Sequence, residues 1–318
     1  MFSVKTLAPH SRRTSGIPTI PKLTLGLRRS PTSPIMTRTG ALAPLPTVLH
    51  RVVRSAAAGV KTVTGWMIFR SGLHRLLLRG RACIVVFHRV NDEYPDDPIT
   101  STIREFEDFV EFFARFFDVI SLSELLDRLE SGADVGSTLT VTFDDGYQNN
   151  ATIAAPILER HGLRACFFVT TGFIATNHIP WWDRQAGIQT QWMSWDQVRG
   201  LRAAGHEVGS HTATHVDLGV VVGEAARREI GDGKAQLEAE IGESSGLFAY
   251  PYGGREHLAN ENKSIPKDLG LRCALSAYGG TVSLGDDPFA LKRTSITKWF
   301  TSPNMFGFEL VTNRLERV

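Results

Sequence analysis

Asp144 and Asp145 are adjacent, close an apolar, β-branched run over residues 139–143, and are followed by Gly146. Two carboxylates at the end of a buried strand raise each other's pKa and are costly to desolvate unless a positive charge meets them. A divalent cation is one solution. The run His211-Thr212-Ala213-Thr214-His215 supplies two imidazoles at a spacing of four, which a helical turn or a tight loop brings to one point. One carboxylate with two imidazoles makes a three-ligand set with open positions, the pattern of a catalytic centre and not of a closed structural one. Each signal is weak alone. Asp-Asp-Gly at a strand end is more often a turn, and a chain with 10 histidines produces an H-x-x-x-H pair by chance often enough. Taken together, they reach as far as a metal-dependent hydrolase.

The elements that must position these groups alternate along the chain. Strands are predicted over 83–88, 119–121, 139–143, 165–170, 207–210 and 247–250. Helices are predicted over 103–117, with Phe106, Phe109, Val110 and Phe113 on one face, from Ser123 with that hydroxyl as cap, and over 151–161, 194–204 and 218–241. This βα order implies a mostly parallel sheet with both faces covered, and the number of units favours a barrel over an open sheet. Ligands of such folds bind at the carboxyl ends of the strands. His88 ends a predicted strand, and the Asp144–Asp145 pair, His211 and Tyr252 each follow one, so four strands deliver reactive groups to one rim.

Composition bounds the rest. At 318 residues and 42% hydrophobic, the chain can bury a full core. The net charge of +2 hides an asymmetry: no acid precedes Asp92, whereas 15 of the 35 Lys and Arg do, leaving 20 basic against 33 acidic residues, a net of −13, beyond that point. Three regions follow. Residues 1–46 read as a basic leader: a disordered tail, a stretch upstream of a true start at Met36, or an organelle transit peptide. Residues 47–80 are a basic amphipathic segment that either packs beside the catalytic domain or lies on an anionic membrane surface. Residues 81–318 form the catalytic domain. Cys83, Cys166 and Cys273 are far apart in apolar runs and read as buried thiols. No apolar run approaches a membrane span and no signal peptide is apparent, so a cytoplasmic protein is expected, with peripheral contact at an inner membrane face as the variant of that reading. Nucleic acid is not an expected partner, because the body is acidic and the basic leader lacks interleaved aromatics.

Three runs carry a resemblance. Thr142-Phe143-Asp144-Asp145-Gly146-Tyr147, Gly205-His206-Glu207-Val208-Gly209-Ser210-His211-Thr212-Ala213-Thr214-His215 and Phe248-Ala249-Tyr250-Pro251-Tyr252-Gly253 resemble, in order, the first three motifs of the polysaccharide deacetylase family. That family is also called the NodB-homology domain or carbohydrate esterase family 4. Supporting similarity runs from near Ile84 to about Ile296 and includes Phe87-His88-Arg89-Val90, Trp181-Trp182-Asp183 and Ser194-Trp195-Asp196.

The resemblance implies a distorted (β/α)7 barrel that removes N-acetyl groups from an amino-sugar-containing polysaccharide, such as an exopolysaccharide, or from a lipid-linked glycan. It implies Asp145, His211 and His215 as ligands of a divalent metal, zinc first, with cobalt, nickel and iron also suited to such a set. Asp144 becomes the general base, the Tyr252 backbone N–H an oxyanion donor, and Tyr147, Pro251 and Tyr252 substrate contacts. Trp181 and Trp182, with Trp192 and Trp195, offer ring faces to sugars or pack in the core. Two departures stand out. Ala249 occupies the place of an arginine that orients the base, and Arg293 is the candidate replacement, unless it is a surface arginine. The late Leu-x-His motif is missing, but Val86-Phe87-His88 has its form, as in permuted members of the family. His88 is therefore the candidate general acid, the alternative being a structural strand-end histidine. O-acetyl ester hydrolysis, deformylation and a non-catalytic glycan-binding barrel are the competing functions.

Overall fold

The computed structural model describes residues 45–312, with side chains from residue 55; the expected leader over 1–46 lies almost wholly outside the described residues. From Pro46 onward the chain is one compact unit. Its core is a ring of seven staves. The first is β1 (Arg81–Phe87), paired in parallel with β5 (Thr138–Phe143), then β6 (Ala165–Val169) and β7 (Glu207–Ser210). Parallel bridges from Ser210 to Phe248, Ala249 to Leu275 and Leu275 to Leu291 carry the ring on. It closes where β9 (Thr294–Ser295) pairs in parallel with β1. The expected (β/α)7 barrel is present, with the last three staves too irregular to form long ladders. The stretch expected as a strand over 247–250 survives only as bridges.

Short strands fill the remaining edges. Helix α1 (Leu45–Arg70) and α2 (Leu73–Leu77) precede β1; β2 (Arg89–Val90) pairs with β3 (Thr100–Ser101) ahead of helix α3 (Ile103–Phe116); and β4 (Asp118–Val119) pairs with the start of β5 before α4 (Leu122–Ser131). Beyond β5 come a π-helical turn at Asn150–Ala154 that leads into α5 (Ala155–Arg160), then α6 (Trp181–Ala186), α7 (Trp195–Ala203), α8 (Gly223–Ile241), α9 (Ile265–Asp268), the antiparallel edge β8 (Val282–Ser283) and α10 (Pro303–Val311). No helix among the described residues is long and apolar enough to cross a membrane.

The period of two along the strands sorts the core. Cys83, Val85 and Phe87 of β1 and Ala165, Phe167 and Val169 of β6 share one cluster with the surrounding helices. Ala82, Ile84, Cys166 and Phe168 belong to a second cluster with Leu247, Ala249, Cys273, Leu275 and Leu291, the interior of the ring. All three cysteines are buried and unpaired, as expected.

Of the boundaries that differ from expectation, two have a clear local reason. Helix α4 is capped by Ser121 and not Ser123, because the Ser121 hydroxyl accepts the Glu124 N–H at 3.1 Å. Helix α8 begins at Gly223, five residues late, since the Asp217 carboxylate takes the Gly219 N–H and its carbonyl takes the Val221 N–H, holding 217–221 in a turn. Outside the ring, Phe143 lies stacked between Phe87 (5.6 Å) and Phe167 (4.9 Å) with Phe106 edge-on. Phe143→Ala is expected to cost about 3–5 kcal/mol of unfolding free energy, read from denaturant melts; a loss under about 1 kcal/mol would show that this stack does not hold β5 in place.

Candidate active site

Where the ring ends at its carboxyl rim, the predicted groups converge on one cavity of about 670 Å³. It is lined by His88 after β1, Asp144 and Asp145 after β5, His211 and His215 after β7, and Tyr252 after the Phe248 stave. The backbone is bent to achieve this. Six described residues other than glycine have positive φ, and four of them are Asp145, Thr212, His215 and Tyr252. Such conformations cost of order 1–3 kcal/mol each and persist only where surroundings enforce them.

The enforcement is visible at the histidine loop. The Ala213 N–H donates to the Glu229 carbonyl at 3.0 Å, and the Thr214 N–H and hydroxyl both donate to the Glu229 carboxylate at 3.0 and 2.8 Å. The Thr212 hydroxyl accepts the His215 N–H at 3.0 Å. Helix α8 comes this close because residue 233 is glycine; a Cβ there would meet the Thr212 carbonyl carbon at 2.6 Å.

Asp145, His211 and His215 present ligand atoms that all lie within 4.8 Å of one another. Asp145 Oδ1 is 3.2 Å from His215 Nε2 and 3.5 Å from His211 Nε2, yet it is buried and accepts no well-formed hydrogen bond. His211 Nδ1–H donates to the Ala249 carbonyl at 2.8 Å, which assigns the proton to that nitrogen and leaves the Nε2 lone pair facing Asp145. Burial lowers the His211 pKa to about 4, so the ring is neutral near pH 7. Burial opposes ionisation of Asp145, but His215, His88 and His211 outweigh it and hold the carboxyl well below its usual range. A neutral, oriented imidazole beside an ionised carboxylate oxygen with no hydrogen donor is a donor set that fits a divalent cation.

Asp144 is held differently. Arg293 Nη1 and Nη2 donate to its two oxygens at 2.7 Å each, in a bidentate fork. Arg293 is fully buried; its Nε donates to the Ser276 carbonyl at 2.7 Å and its Nη1 also reaches the Thr142 hydroxyl at 3.1 Å. It is no surface arginine. Desolvation would raise the Asp144 pKa, but the Arg293 charge, with His211 and His88, reverses the sign and keeps it below its ordinary value.

His88 is half-buried, faces the cavity and adds positive potential at both aspartates. The Tyr252 backbone N–H has no acceptor among the described residues, and its hydroxyl accepts from Trp181 Nε1 at 3.3 Å. Trp181 and Trp182 line the cavity, the Trp182 ring 4.8 Å from that of His215. Two expected substrate contacts do not reach it. Tyr147 is buried behind the wall, stacked on Trp192 at 4.8 Å, its hydroxyl accepting from Trp182 Nε1 at 2.9 Å; Pro251 is buried beneath the Tyr252 turn. Trp192 and Trp195 pack internally.

Other contributors had no signal in spacing. The Arg89 guanidinium is buried between Asp183 (2.7 Å) and Asp97 (3.1 Å) and lies over the Tyr147 ring, tying the His88 strand end to the tryptophan wall. His257 lines the cavity with its Nδ1 2.8 Å from Asp217 Oδ2. Glu229 sits in a helix whose sequence distinguishes it from no other glutamate.

Residues 132–274 match the family model described as polysaccharide deacetylase, a span that includes both aspartates, His211, His215 and Tyr252 but neither His88 nor Arg293. The chain is 25% identical over 148 residues to the peptidoglycan-N-acetylmuramic acid deacetylase PdaA of Bacillus subtilis (strain 168), covering 46% of this chain and 50% of that protein. Solved structures of similar fold include the Streptococcus pyogenes deacetylase PplD in complex with acetate, with a TM-score of 0.59 and 19% identity over 71% of this chain and 96% of that one. IcaB from Ammonifex degensii gives a TM-score of 0.59 and 22% identity over 74% and 97%. The chain spans about half or less of the length of the curated relatives it matches.

Arg293→Leu strands a buried carboxylate and is expected to cost about 3–5 kcal/mol in a denaturant melt. The double variant Asp144→Leu/Arg293→Leu should recover part of that loss. If the single and double variants are equally destabilised, the two side chains are not energetically coupled.

Proposed function

We propose that this chain, which belongs to the polysaccharide deacetylase family, hydrolyses the N-acetyl group of an amino-sugar-containing glycan, polymeric or lipid-linked, using a divalent metal held by Asp145, His211 and His215. One observation carries the reading: a carboxylate locked by a buried arginine stands beside a separate three-ligand cluster, inside a cavity walled by tryptophans.

A divalent cation on those three groups supplies Lewis acidity toward an acyl carbonyl and toward water. Zinc is the first choice for one carboxylate and two imidazoles. The remaining work belongs to the protein. Asp144, ionised and unable to rotate away from Arg293, accepts a proton from water as its oxygen bonds to the acetamide carbon. The Tyr252 N–H donates to the carbonyl oxygen as charge gathers there. His88 then gives a proton to the amide nitrogen as the C–N bond breaks, releasing acetate and a free amine. The exposed Trp181 face and the Trp182 ring hold sugar rings against the rim.

Turnover is favoured over a barrel that only binds glycans, because the two features behind that alternative have answers in the geometry. Arg293 meets Asp144 where Ala249 cannot, and His88 occupies the rim in place of a late histidine. The amide is favoured over an ester or formyl group by the kind of substrate named for PdaA.

Acetate release from N-acetylated chitooligosaccharides and peptidoglycan fragments, run beside O-acetylated and N-formylated counterparts, tests the reaction. Asp144→Asn and His88→Ala are each expected to lower kcat by on the order of 10²–10⁴ with little change in KM; full activity in Asp144→Asn would refute the assignment of the base. Elemental analysis of the purified protein should find one divalent cation per chain, lost in His211→Ala and in His215→Ala. A wild-type protein that holds no such cation, and gains no activity when one is added, would sink the metal assignment.

A further inference from the structure

Among its described side chains, from residue 55 on, helix α1 meets the barrel on one face. On that face Gly65 lets the Asn304 carbonyl oxygen approach to where a Cβ would stand 2.0 Å away. The Thr62 and Ser302 hydroxyls meet at 3.1 Å, Lys61 pairs with buried Glu309 at 2.5 Å, and Phe69 sits among Phe112, Phe116 and Phe117. These contacts set the rotation of the helix. They turn Val60, Val63, Trp66 and Met67 outward, each at least half exposed, and Leu73 and Leu76 of α2 are exposed as well. A run of large apolar side chains at helical spacing on an outer face is unusual where no partner covers it.

The charge that α1 and α2 themselves contribute has one sign. No acid occurs before Asp92, and Arg70, Arg75 and Arg79 of the hairpin are exposed. Arg75, Arg79 and Arg115 line one surface depression, and none of the three forms an ion pair with a described residue. The two acids that line it are engaged elsewhere: Asp118 with Arg128 at 3.2 Å, and Asp134 with the Gly136 N–H at 2.8 Å. An anionic bilayer accepts both features at once, taking apolar side chains at the headgroup boundary and cations at its phosphates.

We propose that the α1–α2 hairpin seats this protein on the surface of an anionic phospholipid membrane, with Val60, Val63, Trp66 and Met67 entering the headgroup–acyl boundary and Arg75, Arg79 and Arg115 binding lipid phosphates. The depression shares no lining residue with the catalytic cavity, and the inference does not rest on the deacetylase reading.

Co-sedimentation of the full chain with phosphatidylglycerol–phosphatidylcholine vesicles, against phosphatidylcholine vesicles alone, tests it. The protein is expected to pellet with the anionic vesicles. Partitioning should fall on the order of a hundredfold in Arg75→Gln/Arg79→Gln/Arg115→Gln, since each cation near such a surface contributes roughly a factor of five, and to background in Val63→Glu/Trp66→Glu. All five side chains are exposed, so both variants should keep the wild-type circular dichroism and melting temperature. Absence of wild-type binding to anionic vesicles overturns the proposal, as does binding unchanged in both variants. A wild-type dimer in sedimentation velocity that Val63→Glu/Trp66→Glu converts to monomer also overturns it, by assigning the face to a second copy.

Discussion

The bidentate pair between Asp144 and Arg293 is the constraint on which the site is built. Two neighbouring carboxylates, each about 3% exposed, carry a desolvation penalty of several kcal/mol per ion, and leaving both uncompensated would force one to bind a proton. Arg293 removes that problem for Asp144 alone, by filling both of its oxygens with N–H donors. Asp145 is left with an oxygen that no donor satisfies and with two imidazoles close by. The division gives adjacent residues, identical in chemistry, two different environments: one rigid and saturated, the other open to a cation.

That division depends on barrel closure. Arg293 lies 149 residues from Asp144, on the stave that leads into β9, and it reaches the carboxylate through the interior of the ring, past Thr142 and the Phe168 face. The closing pair of β9 with β1 therefore holds Asp144 as well as the fold. A second buried guanidinium repeats the device at the wall. Arg89, the residue after His88, pairs with Asp183 in the helix that carries Trp181 and Trp182, so the His88 side of the rim is tied to the tryptophan wall. Helix α8 supplies the third support, through Glu229 and the close approach that Gly233 permits.

Helix α1 obeys a different balance. Its packed face is narrow and partly polar, held by Gly65, Thr62, Lys61 and Phe69, whereas large apolar groups remain outside. A helix placed only to complete the core would show the reverse arrangement. The inverted polarity makes sense where the second solvent is not water.

The amino-acid sequence by itself determined the local chemistry. The β-branched run into Asp144-Asp145-Gly146, the pair of imidazoles four apart and the βα alternation are short-range patterns, and the staves β1, β5, β6 and β7 lie within a residue or two of where the period of two places them. The same patterns brought His88, Asp145, His211, His215 and Tyr252 to one rim. Position along the chain could not decide which expected contacts face the cavity. Tyr147 follows the motif directly, yet a half-turn of backbone buries it against Trp192 and Trp182, and Pro251 turns inward beneath Tyr252. Nor could spacing tell whether Arg293 was inside or outside, or single out Arg89, Glu229 and His257. Their roles come from contacts separated by 15 to 149 residues, and such contacts exist only once the ring has closed and water has been excluded. Burial, not residue type, turned these ordinary charged side chains into supports of the site.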